Sequence, residues 1–464
     1  MKNILLCNDS LGIGGVETVI CNQVMAFTKK GYNVYVLAGN GIYAERIEEF
    51  GGKYIEMNFP ETNQIDDKKI NQIIKIIMKY NINEIHIHKY QCIPYVMPAA
   101  LIANVPYLAY EHIIKTSMPY YTWNYPIYNN LFEIYFKNAY KILAITPETV
   151  KSTQVKFNIN SDKYIIAHNG INFDRYINDE NKNEGKNIKW LMVSAFRNEK
   201  IKSINNGIDL FNEYVKKVDK DATLDIIGGG EGLKEIERYI KNIGLENKIN
   251  ILGEKNNLEK YISKYDILLG VDRCILEAIA MKTPAVIIGY EELKGLVTKE
   301  NIDLAIEENF SGNNMPSMTQ EECIEQIENM LKNKNEMIEE IYIIAKEKLD
   351  AEKNYYTIPE ERDIEENKFD WINLFKIIER NANENLKLSK ENREKWDYIQ
   401  LADKKIEEMA EETISLKDEL IKVKKQKEEF EIKYISIKEE INQIYNSKRW
   451  KYIDKLDKFL GRKK

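Results

Sequence analysis

Short apolar runs, rich in β-branched and aromatic residues and bounded by turn formers, recur through the first 345 residues. They alternate with longer stretches in which apolar positions return at helical spacing. The runs Asn3 to Cys7, Asn33 to Ala38, Glu84 to His88, Pro106 to Tyr110, Lys141 to Thr146 and Lys163 to Ala167 read as strands. Val16 to Lys30, Asp66 to Tyr80 and Pro147 to Phe157 read as helices between them. The scheme repeats with strands at Ile188 to Ser194, Leu224 to Ile227, Ile249 to Leu252, Asp266 to Gly270 and Ala285 to Ile288. Near-continuous apolar strands alternating with helices imply parallel sheets covered on both faces. Two such blocks, meeting near His168-Asn169-Gly170, predict an α/β fold of two Rossmann-like, doubly wound domains with a cleft between them.

Beyond about residue 375 the pattern changes. Gly and Pro nearly vanish, and Glu and Lys dominate. Heptads set in register from Ile406 place Ile406, Thr413, Leu420, Lys427, Tyr434 and Ile441 at a, and Met409, Leu416, Val423, Phe430, Ile437 and Ile444 at d. Ten of these twelve are apolar, which predicts a long α-helical coiled coil; a helix packed back on the globular part is the other reading. The last stretch, Asn446 to Lys464, carries eight basic against two acidic residues. Its Tyr452, Ile453, Leu456, Phe459 and Leu460 share one helical face. Such a tail can lie on an anionic membrane surface, or set its apolar face against a partner chain. The expected domains are 1–168 and 169–345, the two Rossmann-like blocks; 346–398, a helical crossover and linker; 399–447, the coiled coil; and 448–464, the basic tail.

Composition narrows the function. In 464 residues, 67 Lys+Arg stand against 74 Asp+Glu, a net charge of -7, so a globally basic nucleic-acid binder is excluded. No window approaches the roughly 20 apolar residues of a membrane span. The start, Met1 to Asp9, reads as a first strand rather than a secretory leader. The five cysteines form no metal-like spacing with the four histidines, so buried free thiols and a cytoplasmic location are expected.

Three stretches carry candidate chemistry. Gly12-Ile13-Gly14-Gly15-Val16-Glu17 follows the first strand and opens a helix, whose amides would favour an anion. Its spacing is not that of a dinucleotide fingerprint. Gly228-Gly229-Gly230-Glu231-Gly232 follows the strand ending at Ile227. Gly270 to Ile288 runs strand, helix, strand and carries Glu277 in an apolar helix, where an ionised carboxylate needs a partner. A ribose diol is one partner; a core Lys or Arg is another. His86 and His88 share one face of a strand and read as a structural pair, ranked below His112. Tyr120, Tyr121, Trp123 and Tyr125 form a core cluster, an interface or a sugar-stacking wall.

Taken in order, Gly14-Gly15-Val16-Glu17, the His88 and His112 regions, Asn169-Gly170-Ile171-Asn172, Leu224 to Gly230 and Leu276-Glu277-Ala278-Ile279-Ala280-Met281 resemble the retaining GT-B glycosyltransferases of family 4, over roughly residues 1 to 345. The resemblance implies that Glu277 binds the donor ribose, that Gly14 and Gly15 approach the donor phosphate and sugar, and that His112 contacts the sugar. It implies a basic clamp on the diphosphate, with Arg197, Lys200 and Lys202 as candidates, and no metal or cofactor. Gly229, Asp272 and Arg273 complete the expected donor set. Two positions depart from the family pattern. Leu269 stands where a second glutamate is expected, a role that Asp272 could cover in part, and Ala195 stands where the clamp arginine falls, with Arg197 as a displaced substitute.

The resulting expectation is an enzyme that moves a sugar, from a UDP-sugar donor, to a glycan or lipid-linked acceptor in surface polysaccharide or glycoconjugate synthesis. It would work in the cytoplasm or at the inner membrane face, as a homo-oligomer joined by its coiled coil and without nucleic acid. A degenerate nucleotide-sugar-binding scaffold, a nucleotide-sugar epimerase and a structural coiled-coil protein are the alternatives.

Overall fold

The computed structural model describes residues 1–112, 125–176, 187–359 and 371–380. Residues 1–117 and 131–375 form one compact unit, which holds both sheets; residues 118–130 and 376–464 form a second. The coiled-coil heptads, the basic tail and Tyr120, Tyr121 and Trp123 lie outside the described residues. No described helix is long and apolar enough to cross a membrane.

The first lobe is a seven-stranded sheet of β1 (Asn3–Ser10), β2 (Asn33–Gly39), β3 (Lys53–Glu56), β4 (Glu84–Ile87), β5 (Tyr107–Glu111), β6 (Lys141–Ala144) and β7 (Tyr164–Ile166). The order is β3-β2-β1-β4-β5-β6-β7, and every pairing is parallel. Ile4, Leu5, Leu6 and Cys7 of the central strand are fully buried, as a strand covered on both faces requires. The winding direction reverses between β1 and β4, so the chain leaving these two strands diverges at their carboxyl ends and opens a crevice there.

The second lobe repeats this logic with β8 (Lys189–Val193), β9 (Thr223–Ile227), β10 (Ile249–Gly253), β11 (Ile267–Gly270), β12 (Ala285–Ile287) and β13 (Gly295–Leu296), in the order β10-β9-β8-β11-β12-β13. Only β13 runs antiparallel to its neighbour among these described strands. The reversal falls between β8 and β11.

β3 and β13 are not among the strands expected from the sequence. β3 is a half-exposed edge strand with a charged residue at each end, and β13 has two residues. Neither makes an apolar run. Helix limits are legible where caps are present. Thr146 accepts from the Thr149 amide with Pro147 at the first helical position, and Asn158, left-handed at φ 50°, closes the helix Pro147–Phe157.

The boundary expected at residue 345 falls inside the helix Lys334–Leu349. The chain leaves the second lobe only at Asp350, where Ile171 forms a parallel bridge, its N–H donating to the Leu349 carbonyl (2.9 Å) and its carbonyl accepting from the Ala351 N–H (2.9 Å). Ala351 and Tyr355 then pack into the core of the first lobe. The two crossings touch so closely that a Cβ on Gly170 would lie 3.0 Å from the Ala351 Cα.

Candidate active site

At the carboxyl end of the second sheet, the loops after β8, β11 and β12 bring three residues together. Lys200 Nζ lies 3.0 Å from Asp272 Oδ2, and the Tyr290 hydroxyl donates to the same oxygen at 2.8 Å. The Lys200 ammonium also sits over the Tyr290 ring, 5.3 Å from its centre. Burial alone would lower the Lys200 pKa, but the Asp272 charge holds it above the ordinary lysine value. Asp272 has φ 62° and ψ -136°, a conformation that is costly for a residue with a Cβ. Its backbone N–H is fixed by the Phe310 carbonyl at 2.9 Å.

One residue on, the helix Arg273–Ala280 carries Arg273 and Glu277 on one face. Arg273 Nε lies 3.3 Å from Glu277 Oε1, and the Tyr176 hydroxyl donates to that oxygen at 3.3 Å. Both contacts end on Oε1. Burial pushes the Glu277 carboxyl above its ordinary range, against the pull of Arg273. Glu277 is buried, 6% exposed, and faces a protein cation, which is the bland reading of its sequence. Its charge reaches Tyr43 of the first lobe, whose pKa burial raises. Beside it Arg46 of the first lobe and Arg175 approach Glu259 Oε1 at 3.8 and 2.5 Å. The Arg273–Glu277 pair lacks hydrogen-bond alignment. Arg273 Nη1 donates to the Gly170 carbonyl at 3.4 Å, while its buried Nε and Nη2 have no hydrogen-bond acceptor among the described residues.

Arg197 and Lys202 are placed elsewhere. Arg197 is exposed. Lys202 is 63% exposed and pairs with Glu291 at 2.7 Å, so its ammonium adds no buried charge to the cluster. The glycine run after β9 is explained by packing. A Cβ on Gly228 would fall 1.8 Å from the Ser194 carbonyl oxygen, and one on Gly229 would fall 2.7 Å from Glu254 Cγ. The Gly229 carbonyl also accepts from the Phe196 amide at 2.8 Å. These glycines let the loop after β8 pass close, and that loop delivers Lys200.

In the first lobe, Gly14 is the N-cap of the helix Gly15–Lys29 and has no side chain to cap its first amides. Glu17 folds back over this turn; a Cβ on Gly14 would meet its Oε2 at 2.1 Å. Asn8 donates to Glu17 Oε1 at 3.2 Å, and Lys89 stands 3.6 Å from it. From the ends of β4 and β5 comes a row of rings. His86 stacks on Tyr110 at 5.5 Å between centres, Tyr110 on His88 at 4.1 Å, and His88 on His112 at 5.4 Å. His88 Nδ1 and His112 Nε2 are 3.1 Å apart. At the inner end, His86 Nε2 lies 2.6 Å from Glu84 Oε1, and Lys2 lies 2.5 Å from Glu84 Oε2. His112 is thus joined to the histidine pair that the sequence left as structural.

Sequence reasoning missed Tyr290, Glu259, Arg46, Arg175 and Tyr176. Tyr290 could have been found, because it follows Gly289 just past a strand end. The others belong to no motif and meet only through the fold.

Two Rossmann-like lobes joined by a double crossing define the GT-B architecture. Residues 13–175 match the family model "Glycosyltransferase Family 4", and residues 188–333 match "Glycosyl transferases group 1". The two lobes are therefore glycosyltransferase-type domains in that order. The chain is 23% identical over 315 residues to N-acetyl-alpha-D-glucosaminyl L-malate synthase of Bacillus anthracis, covering 62% of this chain and 78% of the relative. It shares its fold with Anabaena HepE in complex with UDP-glucose, at TM-score 0.57, 17% identity and coverage of 76% of this chain and 96% of that one. Sucrose-phosphate synthase from Thermosynechococcus elongatus is similar at TM-score 0.53, with 12% identity and coverage of 75% and 95%.

Proposed function

We propose that this chain transfers a hexosyl group from a UDP-sugar to a hydroxyl of a glycan or lipid-linked acceptor, with retention of configuration and without a metal at the diphosphate. The carrying observation is the convergence of Lys200, Asp272, Tyr290, Arg273 and Glu277 beside the β8–β11 switch point, in a chain whose two lobes match glycosyltransferase families. The donor's bond between the anomeric carbon and the diphosphate oxygen breaks. A bond from that carbon to the acceptor oxygen forms, and the acceptor proton goes to the leaving diphosphate. Negative charge grows on the diphosphate, so fixed cations and amide dipoles lower the barrier.

Lys200 is the clamp cation, held in place by Asp272. Arg273, whose buried Nε and Nη2 lack acceptors among the described residues, stands in for the guanidinium absent at Ala195. Glu277 keeps Oε2 clear of both its contacts and takes the ribose diol there. The Glu17 carboxylate disfavours a phosphate over Gly14 and Gly15, so that turn suits sugar hydroxyls. Reaction at the inner membrane face, held by the basic tail, would place the enzyme beside lipid-linked acceptors.

A thermal-shift series with UDP, UDP-glucose and UDP-N-acetylglucosamine tests donor binding, followed by radiolabelled transfer to glycan and lipid-linked acceptors. At 100 times Kd a ligand stabilises by about 2.7 kcal/mol. Glu277→Ala is expected to stay folded and lose transfer. Full transfer by that variant rejects its role, and nucleotide-sugar binding with no turnover in the wild type marks a scaffold instead.

A further inference from the structure

Asp272 is the residue that precedes the helix Arg273–Ala280, the position from which an aspartate ordinarily accepts from the first amides of its own helix. It makes no such bond. Its φ of 62° and ψ of -136° lie where glycine goes freely and a residue with a Cβ does not. The carboxylate reaches instead to two other loops, to the Lys200 ammonium at 3.0 Å and to the Tyr290 hydroxyl at 2.8 Å. A strained backbone and a forgone cap both count against this placement. What the placement achieves is the neutralisation of one lysine.

Lys200 needs an anion where it stands. It is the residue before the helix Ile201–Lys217, whose positive end disfavours an ammonium, and its side chain is only 17% exposed. A part-buried cation without a partner is unfavourable, so the empty site must supply an anion and a filled site must replace it. Asp272 can let the lysine go. Its side chain is 30% exposed, and Tyr290 donates to the same oxygen that faces Lys200. When Lys200 turns to a phosphate oxygen, the Asp272 carboxylate keeps the Tyr290 bond and gains water. Neither charge is left bare.

We propose that Asp272 is an internal competitor for Lys200: its carboxylate holds the ammonium in the empty enzyme, yields it to the nucleotide diphosphate and takes it back on release, so that the pair limits how tightly the nucleotide is held. That Lys200 meets a diphosphate rests on the glycosyl-transfer reading above; the strained Asp272 and its pair with Lys200 do not. A residue that only positioned Lys200 would strengthen nucleotide binding, and its loss would weaken it. A competitor does the opposite. It also eases departure of the spent nucleotide, because the lysine returns to a waiting carboxylate instead of standing uncompensated.

Asp272→Asn keeps the size of the side chain and an oxygen for Tyr290 while removing the charge. In titration calorimetry of the full-length protein with UDP, this variant is expected to bind at least about tenfold more tightly than the wild type, since a unit charge a few ångströms from a phosphate changes an affinity by that much at the effective dielectric of a protein surface. Unchanged or weaker binding overturns the proposal and leaves Asp272 as a positioning residue. If Asp272→Asn fails to fold, Asp272→Gly, which suits a φ of 62°, carries the same expectation. The double variant Lys200→Met with Asp272→Asn should bind UDP no more tightly than Lys200→Met alone; a gain that survives without the lysine overturns the competition. Glu291→Gln removes a carboxylate from the exposed pair with Lys202 and should change UDP affinity by less than about twofold. A gain there equal to that of Asp272→Asn assigns the effect to net charge and overturns the proposal. Binding of UDP by the wild type with no gain in Asp272→Asn fails this proposal alone, whereas no binding by either protein fails the nucleotide reading and this proposal with it.

Discussion

The carboxyl ends of the two sheets bury polar groups in opposite ways. The second lobe uses opposite charges in contact, Lys200 with Asp272 and Arg273 with Glu277. The first lobe uses rings, with burial holding His88 and His112 below the ordinary histidine range, the latter down to about 3. Two sheets of the same winding thus present different chemistry at equivalent places. Charge in one suits a diphosphate, whose binding needs fixed cations. Neutral hydrogen-bonding rings in the other, with the Glu17 carboxylate at the neighbouring turn, suit hydroxyls rather than a phosphate.

Removing the charge from the second lobe is expected to have the largest effect. Lys200→Met keeps most of the stem and deletes the ammonium. Loss of one donor to a developing anion lowers rates by about 10²–10³-fold. We expect transfer to fall by that factor and the UDP-dependent rise in Tm to disappear. Asp272 keeps its bond from Tyr290 at 2.8 Å, so the unliganded protein should remain folded. An unchanged UDP response in Lys200→Met would remove Lys200 from the clamp.

The fold was more legible than the site, and the reason is physical. Strands such as Ile4 to Cys7 must be apolar on both faces to be central in a covered sheet, so burial is written into consecutive letters. The strand ends that hold the candidate site follow from that pattern, and the resemblance to a known family then pointed to Lys200, Asp272 and Glu277. Their partners could not. Arg175 and Glu259 meet across 84 positions, and Tyr290 reaches Asp272 by way of a separate strand. Gly228 shows the converse. Glycines after a strand suggest a ligand, but here a neighbouring loop fills the space that a side chain would occupy.

An acid titration sharpens the comparison from the other side. His88 and His112 have folded pKa values below their unfolded value near 6.5. Their contribution is present above pH 6.5 and is lost as the pH falls toward about 3 for His112, by about 1.4 kcal/mol per pH unit for each group that must stay unprotonated. Glu111, one residue before His112 on the opposite face of β5, has the opposite sign. Burial raises its carboxyl to about 8, against a bond from the Thr153 hydroxyl at 3.1 Å. Its contribution is present below its unfolded value and is lost as the pH rises through about 8. From these groups, stability should peak near pH 6.5. Urea denaturation from pH 4.5 to 8.5 measures the profile. Glu111→Gln should flatten the alkaline side and steepen the acid side, because between its unfolded value near 4.3 and pH 6.5 the Glu111 carboxyl opposes the two histidines; a decline toward pH 8.5 that persists in that variant means other groups cause it.

The smallest effect should mark the edge of the charged region. Lys202 sits two residues after Lys200, yet the helix Ile201–Lys217 turns its side chain outward to Glu291, with the two side chains 63% and 75% exposed. An exposed ion pair contributes between about 0 and 1 kcal/mol, because water screens it and both long side chains lose freedom in forming it. A diphosphate between β8 and β11 would gain little from an ammonium already paired at the surface. Lys202→Ala is therefore expected to leave the UDP-dependent Tm shift unchanged and transfer within about twofold, since the interaction at stake is that weak. The measurement separates two accounts of the basic segment. If Lys200→Met and Lys202→Ala weaken UDP binding equally, the segment acts as a diffuse positive field, and the Lys200–Asp272–Tyr290 contact is not what grips the nucleotide. If only Lys200→Met does, binding depends on a single positioned charge, as the burial of one lysine and the exposure of the other imply.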